Sequence, residues 1–486
     1  MTTDVLLDLD PRLNYCPDHV RRVHLIGICG TAMAALAGML KEQGFLVSGS
    51  DANVYPPMST FLEQLGIEVT SGYDGRNLTP PADLVIVGNV VSKPNPEAQE
   101  LARLGIPYLS LPQTLSRFFI TGKKSLVMTG THGKTTTSSM LATALHAAGG
   151  DPGFMIGGIV SRFDANYRIG GGPCYVTEGD EYDTAFFDKE AKFLHYRPDI
   201  AVVTSLEFDH ADIFDDLDQI KRMFRKFVEL LPEDGLIIAN TEDQNVADVV
   251  AGAPCRVESY GLTAGSTWQL ENPVFKPGES RFDLNYGNRH FATLRIRQPG
   301  IYNCMNTAAV AAVMHHVGYD PDAIADGLWQ FHGVRRRQEV RGVVNDITVI
   351  DDFAHHPTAV RETLRGLKES FPDNRVIAVF EPRTNTSRRS IFQQDYVAAF
   401  EAADISLIRE VAGDKPVDGD DRFSSSRLAA DLRARGQSAR AFEDTDGIIA
   451  HVRSIARPGD MVAVLSNGGF DNIHERLLTA LEKLSG

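Results

Sequence analysis

A chain of 486 residues, 43% hydrophobic and 23% charged, is long enough for about three domains, each burying its own core. Its 48 basic and 64 acidic residues leave a formal net charge of −16, which argues against nucleic acid or an anionic membrane surface as the main partner. No apolar run is long enough to span a bilayer and no cleavable leader is expected; the five cysteines (Cys16, Cys29, Cys174, Cys255, Cys304) are scattered without a Cys-x-x-Cys pair, so a cytoplasmic chain with reduced thiols is expected.

In chain order, the first domain is expected over 1–118. Residues 23–26 read as an apolar strand, Gly27-Ile28-Cys29-Gly30 as a turn, 31–43 as a helix, and 45–51 as a second strand ending on Asp51. Further strands are expected at 82–90 and 106–109. Strand, glycine turn, helix, strand and terminal acid make a Rossmann-type layout, in which the acid reaches a sugar hydroxyl. The spacing is G-x-x-G rather than G-x-G-x-x-G, which weakens a dinucleotide reading and leaves a single nucleotide diphosphate.

The second domain is expected over 119–333. The apolar run 125–128 is followed by Gly130-Thr131-His132-Gly133-Lys134-Thr135-Thr136-Thr137 and then by a helical pattern over 138–145. This order forms a phosphate cradle, because glycines let N–H groups converge on phosphate oxygens and the helix N-terminus adds partial positive charge. Lys134 is aimed at the β- and γ-phosphates and the Thr135 hydroxyl at Mg²⁺. Only two residues separate Gly130 from Gly133, so the loop is shorter than the common G-x-x-x-x-G-K-[ST]. Strands follow at 173–177, 200–206 and 236–240, with an amphipathic helix at 217–231, a small antiparallel β insertion at about 256–297, and a helix at 302–317.

The third domain, 334–486, repeats the rhythm, with strands at 348–351, 376–380, 405–408 and 461–465 and helices between them. The fold class is α/β: a Rossmann-like N-terminal domain, a P-loop ATPase-like central domain carrying the β insertion, and a Rossmann-like C-terminal domain.

Residues that carry chemistry fall at strand ends. Glu178-Gly179-Asp180-Glu181-Tyr182-Asp183 holds four carboxylates that repel unless a cation or solvent offsets them, so Glu178 reads as a ligand for a hard divalent ion or as part of an acidic surface turn. In Glu207-Phe208-Asp209-His210-Ala211-Asp212, His210 reads as a second ligand or as a structural histidine. Asn303 and Asn306, one turn apart, match the edge of an adenine, while helix capping by Asn303 is an equal alternative. Arg335-Arg336-Arg337 stands at the junction of domains two and three, where Arg337 would reach a γ-phosphate on closure or form part of a solvated linker. In domain three, Asp351-Asp352-Phe353-Ala354-His355-His356-Pro357, Glu381-Pro382-Arg383-Thr384-Asn385-Thr386-Ser387-Arg388-Arg389 and Leu465-Ser466-Asn467-Gly468-Gly469-Phe470 should share one sheet edge. Together they suit the carboxylates of an amino acid or peptide; singly, each is an ordinary loop.

The phosphate loop, the Glu178 loop, Asp209-His210, Asn303-x-x-Asn306 and Asp352-Phe353-Ala354-His355-His356 resemble, in order and across nearly the whole chain, the Mur ligases, the ATP-dependent amide-forming enzymes of peptidoglycan synthesis. Ser50-Asp51-Ala52-Asn53-Val54-Tyr55-Pro56-Pro57-Met58-Ser59 is similar to the branch that joins recycled L-alanyl-γ-D-glutamyl-meso-diaminopimelate to UDP-N-acetylmuramate. So are Glu181-Tyr182-Asp183-Thr184-Ala185-Phe186-Phe187-Asp188-Lys189, Glu207-Phe208-Asp209-His210-Ala211-Asp212-Ile213-Phe214 and Ser466-Asn467-Gly468-Gly469-Phe470. The branch that adds free L-alanine usually has a different loop at 383–388.

The resemblance implies ATP and Mg²⁺ as cofactors and two small-molecule partners, UDP-N-acetylmuramate and the murein tripeptide, with no nucleic acid and no membrane. It implies that a lactyl carboxylate attacks the γ-phosphate to give an acyl phosphate, from which the peptide amine displaces phosphate. Lys134 and Arg337 would be catalytic, and His355 is the one general base it offers. ATP contacts are implied for Gly130, Thr131, His132, Gly133, Lys134, Thr135, Thr136, Asn303, Asn306, Arg337 and Asp352, and metal contacts for Thr135, Glu178 and His210. Gly27, Gly30, Thr31, Asp51 and Asn89 would meet the UDP-sugar, and Arg383, Asn385, Arg388, Ser466 and Asn467 the peptide. Arg225 stands where some members carry a carbamylated lysine, so no carbamate is expected; Gly179 replaces the alanine of the more usual Glu-Ala-Asp-Glu without removing a carboxylate. Ligation of free L-alanine and, more remotely, nucleotide binding without catalysis are the alternatives.

Overall fold

The computed structural model describes residues 6–211, 213–384, 386–411 and 422–485, which form three α/β units, each built on its own sheet. None of the described helices is long and apolar enough to cross a membrane.

The first sheet is parallel throughout, in the order Glu68–Ser71, Leu46–Asp51, Arg22–Ile26, Leu84–Val87, Tyr108–Ser110. Leu84–Val87 is buried at every position, as a parallel sheet covered on both faces requires. Winding reverses between Arg22–Ile26 and Leu84–Val87, so a crevice opens at their carboxyl ends.

The central sheet has ten strands. Its parallel heart runs Arg256–Gly261, Leu236–Ala239, Ile200–Val203, Lys124–Thr129, Cys174–Gly179, Gly153–Val160. The β segment expected as an insertion lengthens this same sheet. Trp268–Lys276 continues beside Arg256–Gly261, and Glu279–Tyr286 and Arg289–Ile296 follow antiparallel. The physical reason is shared burial: Trp268, Leu270, Phe282, Leu284, Leu294 and Ile296 fill one core with helix Ile301–Val317. On the opposite face, Leu115, Phe119 and Ile120 join Tyr175, Phe193 and Tyr196 in a cluster that runs into the first unit.

The third sheet runs Glu339–Val344, Ile347–Asp352, Met461–Leu465, Val376–Phe380, Ile405–Arg409, Ser438–Phe442, parallel except for the first pair. Glu339–Val344 and Ser438–Phe442 were not anticipated from the sequence. The first is an exposed edge strand closed by Asn345 and Asp346, both left-handed (φ 52° and 60°), the geometry of a tight hairpin turn.

Candidate active site

A cavity of about 410 Å³ opens where the carboxyl edge of the central sheet faces the third unit. It is lined by residues 131–136, Glu178, His210, Asn303, Asn306, Arg337, Asp352 and His355, so most of the expected nucleotide, metal and catalytic residues meet in one place. Gly130 lies behind the lining, at the end of strand Lys124–Thr129, where a Cβ would fall 2.3 Å from Thr204 Oγ1.

The short loop is fastened from beneath. Thr131 N–H donates to Ser205 O (2.9 Å), His132 N–H to Ser205 Oγ (3.0 Å), and Thr204 Oγ1 to the His132 carbonyl (2.5 Å). Gly133, with φ 85°, opens helix Lys134–Ala147, whose N-terminus faces the cavity. Lys134 Nζ donates to Gly130 O (2.6 Å) and to both oxygens of the buried Glu181 (2.8 and 3.1 Å). Burial pulls the lysine pKa down, but Glu181, Asp180 and Glu178 together carry it above the ordinary value.

Thr135 Oγ1 donates to Glu178 Oε2 (3.1 Å), and Glu178 Oε1 accepts from Gly157 N–H (2.7 Å). Burial pushes the Glu178 pKa up, although Gly157, Arg337 and Lys134 oppose it. A hydroxyl beside a buried carboxylate fits a hard cation, whose charge would offset that burial. His210 is held differently: Tyr182 OH lies 2.7 Å from Nδ1 and Glu181 Oε1 lies 3.2 Å from Nε2. Burial lowers the His210 pKa, yet Glu181 and Asp209 bring it above its ordinary value.

Arg337 Nη2 donates to Thr135 Oγ1 (3.3 Å), while its guanidinium sits 4.8 Å from the Phe353 ring centroid. Asp352 accepts backbone N–H groups from Gln338 (2.8 Å) and Ala354 (2.7 Å). Gly300, not Asn303, occupies the N-cap of helix Ile301–Val317, and Asn303 Nδ2 donates back to the Pro299 carbonyl (2.7 Å), so the capping alternative is not what the side chain does. His355 Nδ1 lies 3.0 Å from the Phe353 carbonyl, an arrangement that assigns the proton to Nδ1 and the lone pair to Nε2. Burial lowers its pKa.

The expected peptide residues gather at the carboxyl edge of the third sheet. Ser466 Oγ donates to Glu381 Oε2 (2.6 Å), and Arg336 Nη2 holds the carbonyls of Ser466 (2.6 Å) and Gly468 (2.7 Å). The Arg383 side chain presses on Gly468, where a Cβ would fall 2.3 Å from Arg383 Cδ. Asn467 Oδ1 is buried and has no hydrogen-bond partner among the described residues, and Arg388 is buried. Ala211 N–H donates to Thr386 Oγ1 (3.3 Å) and Arg389 Nη1 to Ala211 O (3.2 Å), so this loop touches the residue next to His210. Asn385 and Asp212 lie outside the described residues.

In the first unit, Gly27, Gly30, Thr31, Asp51 and Asn89 share the carboxyl edge of the sheet. Asp51 braces the glycine turn: its two oxygens accept N–H groups of Cys29 (2.9 Å) and Asn53 (3.0 Å). Asn89 is exposed.

Three family models match in chain order: Mur ligase family, catalytic domain, over 22–121; Mur ligase middle domain over 128–314; and Mur ligase, glutamate ligase domain, over 335–468. The UDP-N-acetylmuramate--L-alanyl-gamma-D-glutamyl-meso-2,6-diaminoheptandioate ligase of Escherichia coli (strain K12) is 39% identical over 95% of this chain and 98% of its own. The chain belongs to the Mur ligase family. Among solved structures, a murein peptide ligase from Psychrobacter arcticus 273-4 is 36% identical with a TM-score of 0.68, covering 95% of this chain and 99% of its own. The UDP-N-acetylmuramate-alanine ligase of Thermotoga maritima is 25% identical with a TM-score of 0.76, covering 96% and 100%.

In this Mur ligase, several residues around the cavity had no assigned role in the sequence. Glu181 and Tyr182 hold Lys134 and His210; Glu207 accepts from His132 (Nε2, 2.8 Å) and from Thr358 Oγ1 (3.1 Å). Phe353 shelves Arg337. Their only signal was membership of the acidic, Asp-His and His-His strings. Arg225 is exposed on helix Leu217–Val228 and does not line the cavity.

Proposed function

We propose that this Mur ligase joins L-alanyl-γ-D-glutamyl-meso-diaminopimelate to UDP-N-acetylmuramate, with ATP cleaved to ADP and phosphate. The observation that carries the reading is whole-length identity: 39% and 36% to two proteins named for the peptide, against 25–33% to those named for alanine. The units 1–118, 119–333 and 334–486 take the UDP-sugar, ATP and the peptide respectively. A nucleotide sugar and ATP as joint substrates suit the cytoplasm.

In this reading, N–H groups of residues 131–136 and the N-terminus of helix Lys134–Ala147 hold the phosphates. The lactyl carboxylate oxygen attacks the γ-phosphorus and ADP leaves, giving an acyl phosphate; the L-alanyl amine then attacks the acyl carbon and phosphate leaves. Lys134 and Arg337 balance the charge that builds on the transferring group. Thr135, Glu178 and His210 would hold Mg²⁺, which supplies charge neutralisation at the phosphates. Asn303 and Asn306 meet the adenine edge, and Asp352 lies beside the nucleotide. His355 Nε2 is the acceptor for the amine proton, while Arg383, Asn385, Arg388, Ser466 and Asn467 bind the peptide carboxylates. Gly27, Gly30, Thr31, Asp51 and Asn89 hold the UDP group.

The test is ADP release and amide formation with ATP, Mg²⁺, UDP-N-acetylmuramate and either the tripeptide or L-alanine. Product with the tripeptide supports the reading. Product with L-alanine alone overturns it, and ATP binding without any amide product points to a nucleotide-binding protein instead.

A further inference from the structure

At the wall of the nucleotide cavity, which His132 and His356 both line, three metal-ligating side chains from separate segments converge. His132 belongs to the phosphate loop, Glu207 follows strand Ile200–Val203, and His356 stands just before helix Pro357–Ser370 of the third unit. Glu207 Oε2 lies 2.8 Å from His132 Nε2 and 3.6 Å from His356 Nδ1, and one donor atom from each residue lies within 4.8 Å of the others. The two imidazole rings are 4.7 Å apart. A tetrahedral ion with bonds of about 2.0–2.1 Å separates its donors by about 3.3–3.4 Å. Two of the separations, 2.8 and 3.6 Å, straddle that value, and the third lies within 4.8 Å, so the two imidazoles must draw together to close the site.

The protonation states of His356 and Glu207 suit ligation, and an ion would displace the proton that His132 Nε2 gives to Glu207. Burial, then the neighbouring His132, holds His356 down at about 4, which leaves a neutral ring at pH 7. Its Nδ1 accepts from Thr358 N–H at 3.3 Å, so the lone pair sits on the nitrogen nearer to Glu207, and an ion bound there takes the place of that N–H. Despite burial, His132 and His356 hold the Glu207 carboxyl at about 2, so it is ionised. Its second oxygen accepts from Thr358 Oγ1 (3.1 Å), which orients the carboxylate.

We propose that His132, Glu207 and His356 form a binding site for a late first-row divalent cation such as Zn²⁺, separate from the hard-cation donors Thr135 and Glu178. Two imidazoles and one carboxylate favour Zn²⁺ over Mg²⁺. His132 and His356 belong to different units, so a bound ion ties the phosphate loop to the third unit. Such a tie opposes any closure of the third unit that brings Arg337 to a γ-phosphate, and the ion then acts as an inhibitor.

Co²⁺ is the probe, titrated into the full-length protein at saturating Mg²⁺. A visible absorption band of nitrogen-ligated Co²⁺, removed by Zn²⁺, is expected from the wild type. Zn²⁺ should also inhibit amide formation, with at least about a tenfold weaker effect in His356→Asn and Glu207→Gln. Asparagine at 356 retains a helix-capping acceptor, so that variant keeps the start of helix Pro357–Ser370. No band in the wild type, or an unchanged band and unchanged inhibition in both variants, overturns the proposal. Slower turnover in Glu207→Gln with no Co²⁺ or Zn²⁺ binding to the wild type also overturns it, and assigns the cluster to a hydrogen-bonded link between units.

Discussion

Lys134 Nζ lies 2.8 Å from Glu181 Oε2, and Glu181 is 3% exposed. The pair holds the lysine at the mouth of the phosphate loop while compensating a carboxylate that water hardly reaches. Removing one partner of such a pair costs about 3–5 kcal/mol, because the other charge is left buried alone. Lys134→Ala is therefore expected to lower stability and to reduce kcat by about 10²–10³-fold. Adding Glu181→Gln should restore part of the stability and none of the rate. Urea unfolding with ADP-release kinetics reads both; near-normal turnover in Lys134→Ala would remove the lysine from the chemistry.

Tyr182 and His210 form a second pair, with the hydroxyl 2.7 Å from Nδ1 and the ring centroids 4.4 Å apart. A hydrogen bond to one imidazole nitrogen sets which way the other points. Tyr182→Phe keeps the ring contact and deletes that bond. The Mg²⁺ concentration needed for half-maximal rate should rise about 10–100-fold, with kcat at saturating Mg²⁺ little changed. Mn²⁺ binding followed by electron paramagnetic resonance gives a readout independent of turnover. An unaltered Mn²⁺ affinity would reduce Tyr182 to packing.

Gly133 combines φ 85° with a close approach, since a Cβ there would fall 2.9 Å from Asn306 Oδ1. Gly133→Ala meets both the left-handed penalty, about 1–2 kcal/mol, and that contact. The loop and the amide must then separate, so the ATP KM should rise more than the UDP-N-acetylmuramate KM. Equal rises in both would mean a general loosening rather than a damaged nucleotide site.

Much of this architecture is legible because its signals are local. Strands Val376–Phe380 and Met461–Leu465 are short, wholly buried apolar runs, and the expected boundaries match the observed ones. Strand Ile200–Val203 ends earlier than its apolar run suggests, because Thr204 and Ser205 turn aside to fasten the phosphate loop. Strand Glu339–Val344 was hidden, since Val340 and Val343 face solvent and no buried alternation marks it. The meander at 268–296 is readable as β structure, but the sheet it joins depends on pairing between Arg256–Gly261 and Leu236–Ala239, which no local pattern encodes. The same holds in the site: Lys134 meets Glu181, and His132 meets Glu207, across 47 and 75 residues. Residue types could be read as phosphate- or metal-binding, whereas the carboxylate each would meet could not.

Acid should unfold this protein in two windows. The folded pKa of His356 is about 4 against an ordinary 6.5, so between those values the unfolded chain takes up a proton that the folded chain refuses. Stability from this group therefore falls as pH drops from about 6.5 toward 4, by at most about 1.4 kcal/mol per pH unit. Glu207, depressed to about 2 from 4.5, contributes stability that persists above 4.5 and is lost as pH falls toward 2. Urea denaturation of the wild type at pH 7, 6 and 5 should show the first loss. His356→Asn should make that loss shallower, the lowered His146, His315, His355 and His451 keeping a share of it, while leaving the fall below pH 4.5 in place. If the wild type and the variant lose stability in parallel between pH 7 and 5, His356 is not the group that titrates, and the neutral imidazole beside Glu207 has to be abandoned.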